Sequence, residues 1–297
     1  MRPFDDIDRL AAWPALDKVA APARDAVNKL LTRRDVADVL HGTPLGHPLH
    51  PVLAQLSLGS FVSAGVLDVV PRTRRPATAL IALGLVSAAP TAAAGWADYS
   101  QAHEEQQRVG IVHAAANITM ISGYLVSLAA RLRGRGTRGA LWGWAALAVG
   151  SAGAVLGGHM SYHQSLGANH AESIPHIGPT DWTDVGPLDD LPEGAPTRRL
   201  MGDVGVVLVR HGSTVDALAE RCSHASAPLS DGTLQAGPDG VGGEECLVCP
   251  WHGSVFRVAD GAVMHGPAIA GQPTFRTRVR DGRLELRVAG YPAVPAS

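Results

Sequence analysis

Two short segments of the chain each hold one cysteine and one histidine. One residue separates Cys222 from His224 in RCSHASAPLS, and two residues separate Cys249 from His252 in CLVCPWHGSVF. Thiolate and imidazole are the donors that zinc and iron–sulfur centres use in proteins. The four residues therefore predict a metal centre. A structural zinc ion and an iron–sulfur cluster both fit these residue types, and two surface turns that hold no metal are the third interpretation.

The chain has three cysteines, and the third does not belong to this pattern. Cys246 lies three residues before Cys249, and we interpret it as a buried strand residue. An odd number of cysteines without a disulfide-like framework favours thiols that are ligands or buried apolar groups.

The sequence after the second segment narrows the choice of metal centre. It continues as HGSVF and is followed by HGPA at His265–Ala268. With both loops and this third segment, roughly residues 198 to 290 resemble the Rieske iron–sulfur family. The resemblance implies a 2Fe–2S cluster whose two irons are held by two ligand pairs: the thiolates of Cys222 and Cys249 and the imidazoles of His224 and His252.

The segments depart from the respiratory members of that family. Those members carry one further cysteine in each loop, where this chain has Ala227 and Trp251, so the disulfide beside the cluster cannot form. They also place a Ser and a Tyr that hydrogen-bond cluster sulfurs; here Ser254 is present and Phe256 replaces the tyrosine. The resemblance is therefore to the disulfide-free ferredoxins, and it implies a midpoint potential in the lower part of the range from about −150 to +300 mV.

The elements that precede these loops are apolar. Gln55, Asp68 and Asn117 are the only strongly polar residues in them besides histidine. A soluble bundle of Ala-rich helices would need a charged outer stripe, which these segments lack. We predict four transmembrane helices, each long enough for a hydrocarbon layer of about 30 Å: Pro51–Val70, Ala77–Ala97, Val109–Ala130 and Gly139–Met160.

Five histidines lie at one predicted face of this membrane domain. They are His47, His50, His113, His159 and His163. The domain resembles four-helix bacterial membrane proteins of unassigned function that open with an HPLHP-type motif, and distantly haem b bundles. We predict a haem b or transition-metal site whose first candidate ligands are His50, His113 and His159, joined by His47 and His163. Helix-end polar groups bonded to water and carbonyl oxygens are the alternative.

Composition divides the chain further. Residues 1–46 form an N-terminal segment without a cleavable signal peptide, and residues 47–163 form the membrane domain. Residues 164–197, rich in Pro, Gly and acid residues, are predicted to be a linker. Residues 198–297 show alternating apolar runs with Asp-Gly turns at Asp231, Asp260 and Asp281, which predict hairpins. The predicted fold class is an all-α four-helix transmembrane bundle plus a small all-β domain, which the resemblance implies is a Rieske domain.

Arginines in the loops predict the orientation of the membrane domain. Short loops rich in Arg stay in the cytoplasm, so the termini and the Rieske domain are predicted to be extracytoplasmic, in a multi-pass cell-membrane protein. The loops after the first and third helices carry Arg72, Arg74, Arg75, Arg131, Arg133, Arg135 and Arg138. The opposite side has Arg33, Arg34 and Arg108.

These features predict a membrane-anchored electron-transfer protein, an oxidoreductase component rather than a complete enzyme. Its partners would be membrane lipid and either a redox protein or a quinone, with haem or quinone at the histidine face. A redox sensor or regulatory subunit, in which the membrane part only anchors, is the alternative. A net charge of −2 gives no basic excess for nucleic acid.

Overall fold

The computed structural model describes residues 5–237 and 244–289, so the extreme ends of the predicted domains lie outside the described residues. The chain divides into two compact units. The helical unit comprises Met1–Leu40 and Pro48–Gly167, and the β unit comprises His41–His47 and Ala168–Ser297.

Four long helices dominate the helical unit, as predicted. Each is long and apolar enough to cross a membrane. Helices α5, α6 and α7 extend beyond the predicted apolar segments at both ends, whereas α4 begins two residues before its segment and ends one residue short of it. Neighbouring helices pack as α4 with α5 and α6 with α7, and α5 on α6 and α4 on α7 complete the bundle. Their bounds are α4 Leu49–Val69, α5 Arg74–Ser100, α6 Glu104–Leu132 and α7 Gly136–Tyr162.

An aromatic pair fills the middle of this bundle. The rings of Phe61 on α4 and Tyr124 on α6 stack at 3.9 Å between centroids, 9° from parallel. Gly84 on α5 makes room for them, because a Cβ there would lie 2.5 Å from the Phe61 ring. Small residues allow such close approach where helices pack without a hydrophobic driving force.

The N-terminal segment is helical and belongs largely to the same unit. Its helices are α1 Asp5–Ala11, α2 Asp17–Leu30 and α3 Arg34–His41. Helix α1 packs on α6, and α2 packs on α5 and α6. Arg108 of α6 donates two hydrogen bonds to the carboxylate of Asp17, at 2.7 and 2.8 Å.

Several arginines used to predict the orientation lie in helices rather than in loops: Arg74 and Arg75 begin α5, and Arg131 and Arg138 lie in α6 and α7. Arg131 lies in α6 and donates to both carboxylate oxygens of Asp68, at 2.8 and 2.5 Å. An unpaired charge inside an apolar helix bundle is energetically costly, so a buried Asp such as Asp68 is expected to pair with a cation. Of the arginines predicted on this side, Arg72, Arg133 and Arg135 lie in the loops.

Within residues 168–237 and 244–289, the strands of the β unit form three small antiparallel sheets, with strand orders β1-β10-β9, β2-β3-β4 and β5-β6-β7-β8. The bounds of the strands are β1 Thr183–Pro187, β2 Thr197–Met201, β3 Val204–His211, β4 Thr214–Ala219, β5 Thr233–Ala236, β6 Glu245–Val248, β7 Val255–Arg257, β8 Val263–His265, β9 Phe275–Arg280 and β10 Arg283–Val288. The short helix α8, Ile174–Ile177, precedes them.

The structure corrects the predicted linker. Residues 164–197 include strand β1, which pairs with β10. Three apolar residues of the same segment, Ala171, Ile174 and Leu191, are buried in one core of the β unit. The composition of the segment predicts a linker because proline and acid residues are frequent in it and outnumber these few apolar positions. The edge of β10 supplies the hydrogen bonds that β1 cannot make alone.

The predicted Asp-Gly turns have different outcomes. Asp281 and Gly282, both with positive φ (51° and 74°), close the β9–β10 hairpin as a type I′ turn requires. Gly261 after Asp260 also has positive φ, 72°, between β7 and β8. Asp231 instead ends a 3-10 turn that leads into β5, because Gly232 there keeps a negative φ of −77°.

Candidate metal centre

The two Cys/His segments form loops of the same backbone design. Loop 1, residues 220–228, follows β4, and loop 2, residues 249–254, connects β6 to β7. The amide of each cysteine donates to the carbonyl five residues later, from Cys222 to Ala227 at 2.9 Å and from Cys249 to Ser254 at 2.8 Å. Each cysteine carbonyl in turn accepts the amide of the residue four positions later.

A positive φ lets both loops close in this way. The fourth residue after each cysteine has a left-handed backbone, Ser226 with φ 66° and Gly253 with φ 72°. Glycine adopts this conformation freely and serine does so at a cost. The matched hydrogen bonds and matched φ values explain why two loops of different sequence present a Cys and a His in the same way.

The loops bring the two thiols together in the interior. Cys222 is 0% exposed and Cys249 is 2% exposed. Their shared hydrogen bond lowers the pKa of Cys249 to about 6 and raises that of Cys222, and backbone amides of Trp251 and His252 add to the lowering. A thiol with a lowered pKa forms the thiolate that binds metals.

The two imidazoles form a second pair nearer the surface. The rings of His224 and His252 lie 4.9 Å apart between centroids, at 87° to each other. Both residues are partly exposed, while their Nδ1 atoms are buried. The loops therefore hold two buried sulfur donors and two imidazoles that reach the surface.

The spacing of these donors favours a two-metal centre over zinc. Four ligands on one tetrahedral zinc ion lie within about 4 Å of one another. Among the described residues, three His, Cys, Asp or Glu donor atoms come within 4.8 Å of one another only at Asp8, His159 and His163. The hydrogen bond between the two thiols and the contact between the two imidazole rings fit one donor pair for each iron of a 2Fe–2S cluster.

A buried glutamine, which the sequence analysis missed, fixes loop 1. The side chain of Gln272 accepts the amide of Ser223 at 3.0 Å and donates to the carbonyl of Ala219 at 2.8 Å and to that of Arg221. It is 1% exposed. Its only signal in the sequence is one amide in the small-residue run AIAGQPTF.

Two further contacts support the loops. Ser254, fully buried, accepts the amide of Ala268 at 3.0 Å, so the HGPA segment is attached to loop 2. The amide of His170 donates to the carbonyl of Ser223 at 2.8 Å, and its Nδ1 lies 3.1 Å from the hydroxyl oxygen of Ser226. His170 comes from the segment predicted to be a linker.

The third cysteine and the two residues that replace a tyrosine and a cysteine of the respiratory members lie in or near the loops. Cys246 is buried in β6 and unbridged, as predicted. Phe256 is 0% exposed and packs in the same core as Cys222 and Cys249. Trp251, which replaces a cysteine of the respiratory members, is 52% exposed.

The four candidate histidines of the helical unit form two pairs rather than one site. His47 belongs to the β unit. His50 and His113 form one pair, with ring centroids 6.4 Å apart, and His159 and His163 form another at 4.5 Å. His50, His113 and His159 do not bring three donors together among the described residues.

Backbone carbonyls hold the first of these pairs. Nδ1 of His50 lies 2.9 Å from the carbonyl oxygen of Thr91, and Nδ1 of His113 lies 2.8 Å from that of Gly153. A carbonyl oxygen only accepts, so both Nδ1 atoms carry the proton. Nε2 of His113 lies 3.0 Å from the side-chain nitrogen Nδ2 of Asn117.

Known proteins match the two parts of the chain separately. Residues 181–276 match the family described as the Rieske [2Fe-2S] domain. Ferredoxin CarAc of Metapseudomonas resinovorans is 31% identical over 110 residues, which are 37% of this chain and 94% of that protein. The chain belongs to the Rieske [2Fe-2S] family. Residues 46–173 match the predicted membrane protein family DUF2231.

Other relatives of the Rieske domain are subunits of different enzyme systems and complexes. The anthranilate 1,2-dioxygenase ferredoxin subunit of Burkholderia cepacia is 28% identical over 36% of this chain and 93% of its own length. The cytochrome b6-f complex iron-sulfur subunit of Chlorobaculum tepidum is 26% identical over 35% of this chain and 52% of its own length. Among solved structures, the ferredoxin of carbazole 1,9a-dioxygenase from Nocardioides aromaticivorans is 27% identical, over 36% of this chain and 97% of that chain, with a TM-score of 0.32.

A Rieske domain implies a 2Fe–2S cluster, and the donor set of the two loops fits that group: two buried thiols joined by a hydrogen bond and two partly exposed imidazoles. The chain is therefore a Rieske protein with a membrane domain. Its relatives include ferredoxins and a subunit of a cytochrome complex.

Proposed function

We propose that this Rieske protein is a membrane-anchored electron carrier whose cluster is held by Cys222, Cys249, His224 and His252. The observation that supports this most is the pairing of the donors, buried thiols on one side and imidazoles near the surface on the other. When bound, a 2Fe–2S cluster accepts and releases one electron, and imidazole ligands make its potential higher than that of an all-cysteine cluster.

The residues around the site would divide the work of such a carrier. The core around Cys222 and Cys249 excludes water, while His224 and His252 give an electron a short path to the surface. Trp251 lies next to His252 in the chain, with ring centroids 6.3 Å apart, and half of its side chain is exposed. A large exposed aromatic beside the ligands suits the docking of a redox partner protein.

The helical unit would keep the carrier at the membrane and offer a second redox group. His50 directs a protonated Nδ1 to a carbonyl, the arrangement in which Nε2 is available to a haem iron or a quinone headgroup. Electron exchange with such a group distinguishes the carrier from a redox sensor that the helices only anchor. We also propose the orientation with the Rieske domain outside the cytoplasm, which the remaining loop arginines support.

Metal and spectroscopic analysis of the full-length protein, purified with a tag that contains no histidine, tests the proposal. We expect two irons and two sulfides per chain and the paramagnetic signal of a His-ligated cluster. His224→Ala and His252→Ala should abolish that signal, and Cys246→Ala should retain it because this thiol is outside the donor set. Zinc without sulfide would contradict the cluster assignment.

A second measurement separates a carrier from a sensor. The reduced protein is mixed with a short-chain ubiquinone or with a soluble cytochrome, and cluster reoxidation is followed. Rapid reoxidation by either supports the carrier. Reoxidation by neither, in protein that contains the full cluster, supports the sensor.

A further inference from the structure

A second group of metal donors lies in the helical unit, apart from the Rieske loops. His159 lies in the last turn of α7, and His163, the residue after the helix, still has a helical backbone. The two residues are four positions apart, so their side chains lie on one face. Their Nε2 atoms lie 3.2 and 3.3 Å from the same carboxylate oxygen of Asp8, on α1. All three donor atoms fall within 4.8 Å of one another.

The contact between His159 and Asp8 is not a hydrogen bond. The His159 side chain is 7% exposed, and its Nε2 is buried without a hydrogen-bond partner in the described part of the chain, even though the Asp8 oxygen is only 3.2 Å away. Burial has removed the hydrogen bonds to water that this imidazole nitrogen would make in solution, and no protein hydrogen bond replaces them, which costs free energy. An ion between the two atoms would supply it.

The distances suit such an ion. Ligands about 2.0–2.1 Å from a tetrahedral metal ion lie about 3.3 Å from one another. The two separations from Asp8 agree with this value. Two imidazoles and one carboxylate are a donor set for zinc and other first-row transition metals, with one position left for water.

We propose that Asp8, His159 and His163 bind one divalent transition-metal ion. The ion joins α1 to the end of α7, where Ile7, Val109 and Met160 already form a small buried core. Asp8 and His163 are about half exposed, so the ion can enter from solvent. This site uses none of the cluster ligands and does not depend on the carrier function.

Equilibrium dialysis of the full-length protein against Zn²⁺, with zinc and iron counted per chain, tests the site. We expect one zinc beyond the cluster iron. Asp8→Asn and His163→Ala should each weaken zinc binding by more than the roughly tenfold that loss of an outer partner of a metal ligand causes.

Two matched variants serve as controls. Asp6→Asn removes an exposed carboxylate of the same helix, which pairs with Arg9, and His176→Ala removes an exposed histidine beside a single glutamate. Both should bind zinc like the natural protein. Equal zinc binding in all four variants, or no zinc in the natural protein, would overturn the proposal.

A spectroscopic readout guards against a variant that simply misfolds. Co²⁺ replaces zinc in tetrahedral sites and gives visible absorption bands that report its ligands. His163→Ala should change these bands while the cluster spectrum stays intact. Unchanged cobalt bands would show that His163 is not a ligand.

Discussion

Asp68 on α4 and Arg131 on α6 form a two-bond ion pair inside the helical unit, with side chains 4% and 3% exposed. Ser127 extends the pair, because its hydroxyl lies 3.2 Å from the Arg131 guanidinium and donates to the carbonyl of Gly139 at 2.6 Å. The pair thus connects three of the four long helices.

Breaking this pair should destabilise the bundle. Asp68→Leu leaves the Arg131 charge buried without its carboxylate, which typically costs about 3–5 kcal/mol. Thermal unfolding in detergent micelles measures the loss. The double variant Asp68→Leu/Arg131→Leu should recover most of this loss, since it removes both charges. If the double variant lost as much stability as the single variants Asp68→Leu and Arg131→Leu added together, the two residues would not be coupled.

Phe256→Tyr should raise the midpoint potential of the cluster. A hydroxyl that donates to a cluster sulfur stabilises the more negative reduced state, and each kcal/mol of that difference corresponds to about 40 mV for one electron. Redox titration of the full-length protein checks the change from a natural midpoint expected low in the Rieske range. Phe275→Tyr, in the other core of the β unit, should leave the midpoint unchanged. An unaltered midpoint in Phe256→Tyr would argue against the hydrogen bond.

Gln272→Ala should loosen loop 1 and speed loss of the cluster on heating. The substitution leaves the amide of Ser223 and two carbonyl oxygens buried without their partner, at about 1–3 kcal/mol. The temperature at which the cluster absorbance bleaches should fall. Gln235→Ala removes an exposed glutamine on β5 and should not lower it. Equal bleaching temperatures for the two variants would refute the role of Gln272.

Trp251→Ala should slow electron transfer to a protein partner and not to a small oxidant. The indole offers contact area to a docking protein, whereas ferricyanide needs none. Stopped-flow reoxidation by a soluble cytochrome and by ferricyanide separates the two effects. Trp182→Ala is the control, because that ring is covered by Arg278 and Arg287 at 4.3 and 4.8 Å. Equal slowing with both oxidants would point to a change at the cluster instead.

Ser173→Cys should be labelled in intact cells by a membrane-impermeant maleimide. The residue is exposed in the β unit, and the three natural cysteines are buried. Thr137→Cys, exposed at the start of α7, should be labelled only after lysis. The reverse pattern would place the Rieske domain in the cytoplasm.

Local pattern was enough for much of this protein. Four apolar segments without a charged stripe predicted the four long helices, because a helix that faces lipid must be apolar over its whole length. The two Cys/His loops and the HGPA segment predicted the Rieske domain, since the ligands of such a site cluster within short loops. The pair Asp281 and Gly282 predicted its hairpin, because positive φ at two successive residues is a local requirement.

Long-range contacts decided the rest. Asp8 and His159 are far apart in the chain and meet only because α1 packs beside the end of α7. Gln272 acts on loop 1 from a distant turn, and β1 becomes a strand only when β10 offers its edge. The sequence predicts Arg131 to be a loop residue, whereas the packing of α4 against α6 places it beside Asp68. The sequence by itself determined which residues could bind metals and which segments could cross a membrane, because those depend on residue type and short spacing. Only the tertiary structure decided which donors meet and which charges are buried, because these depend on how separate elements pack.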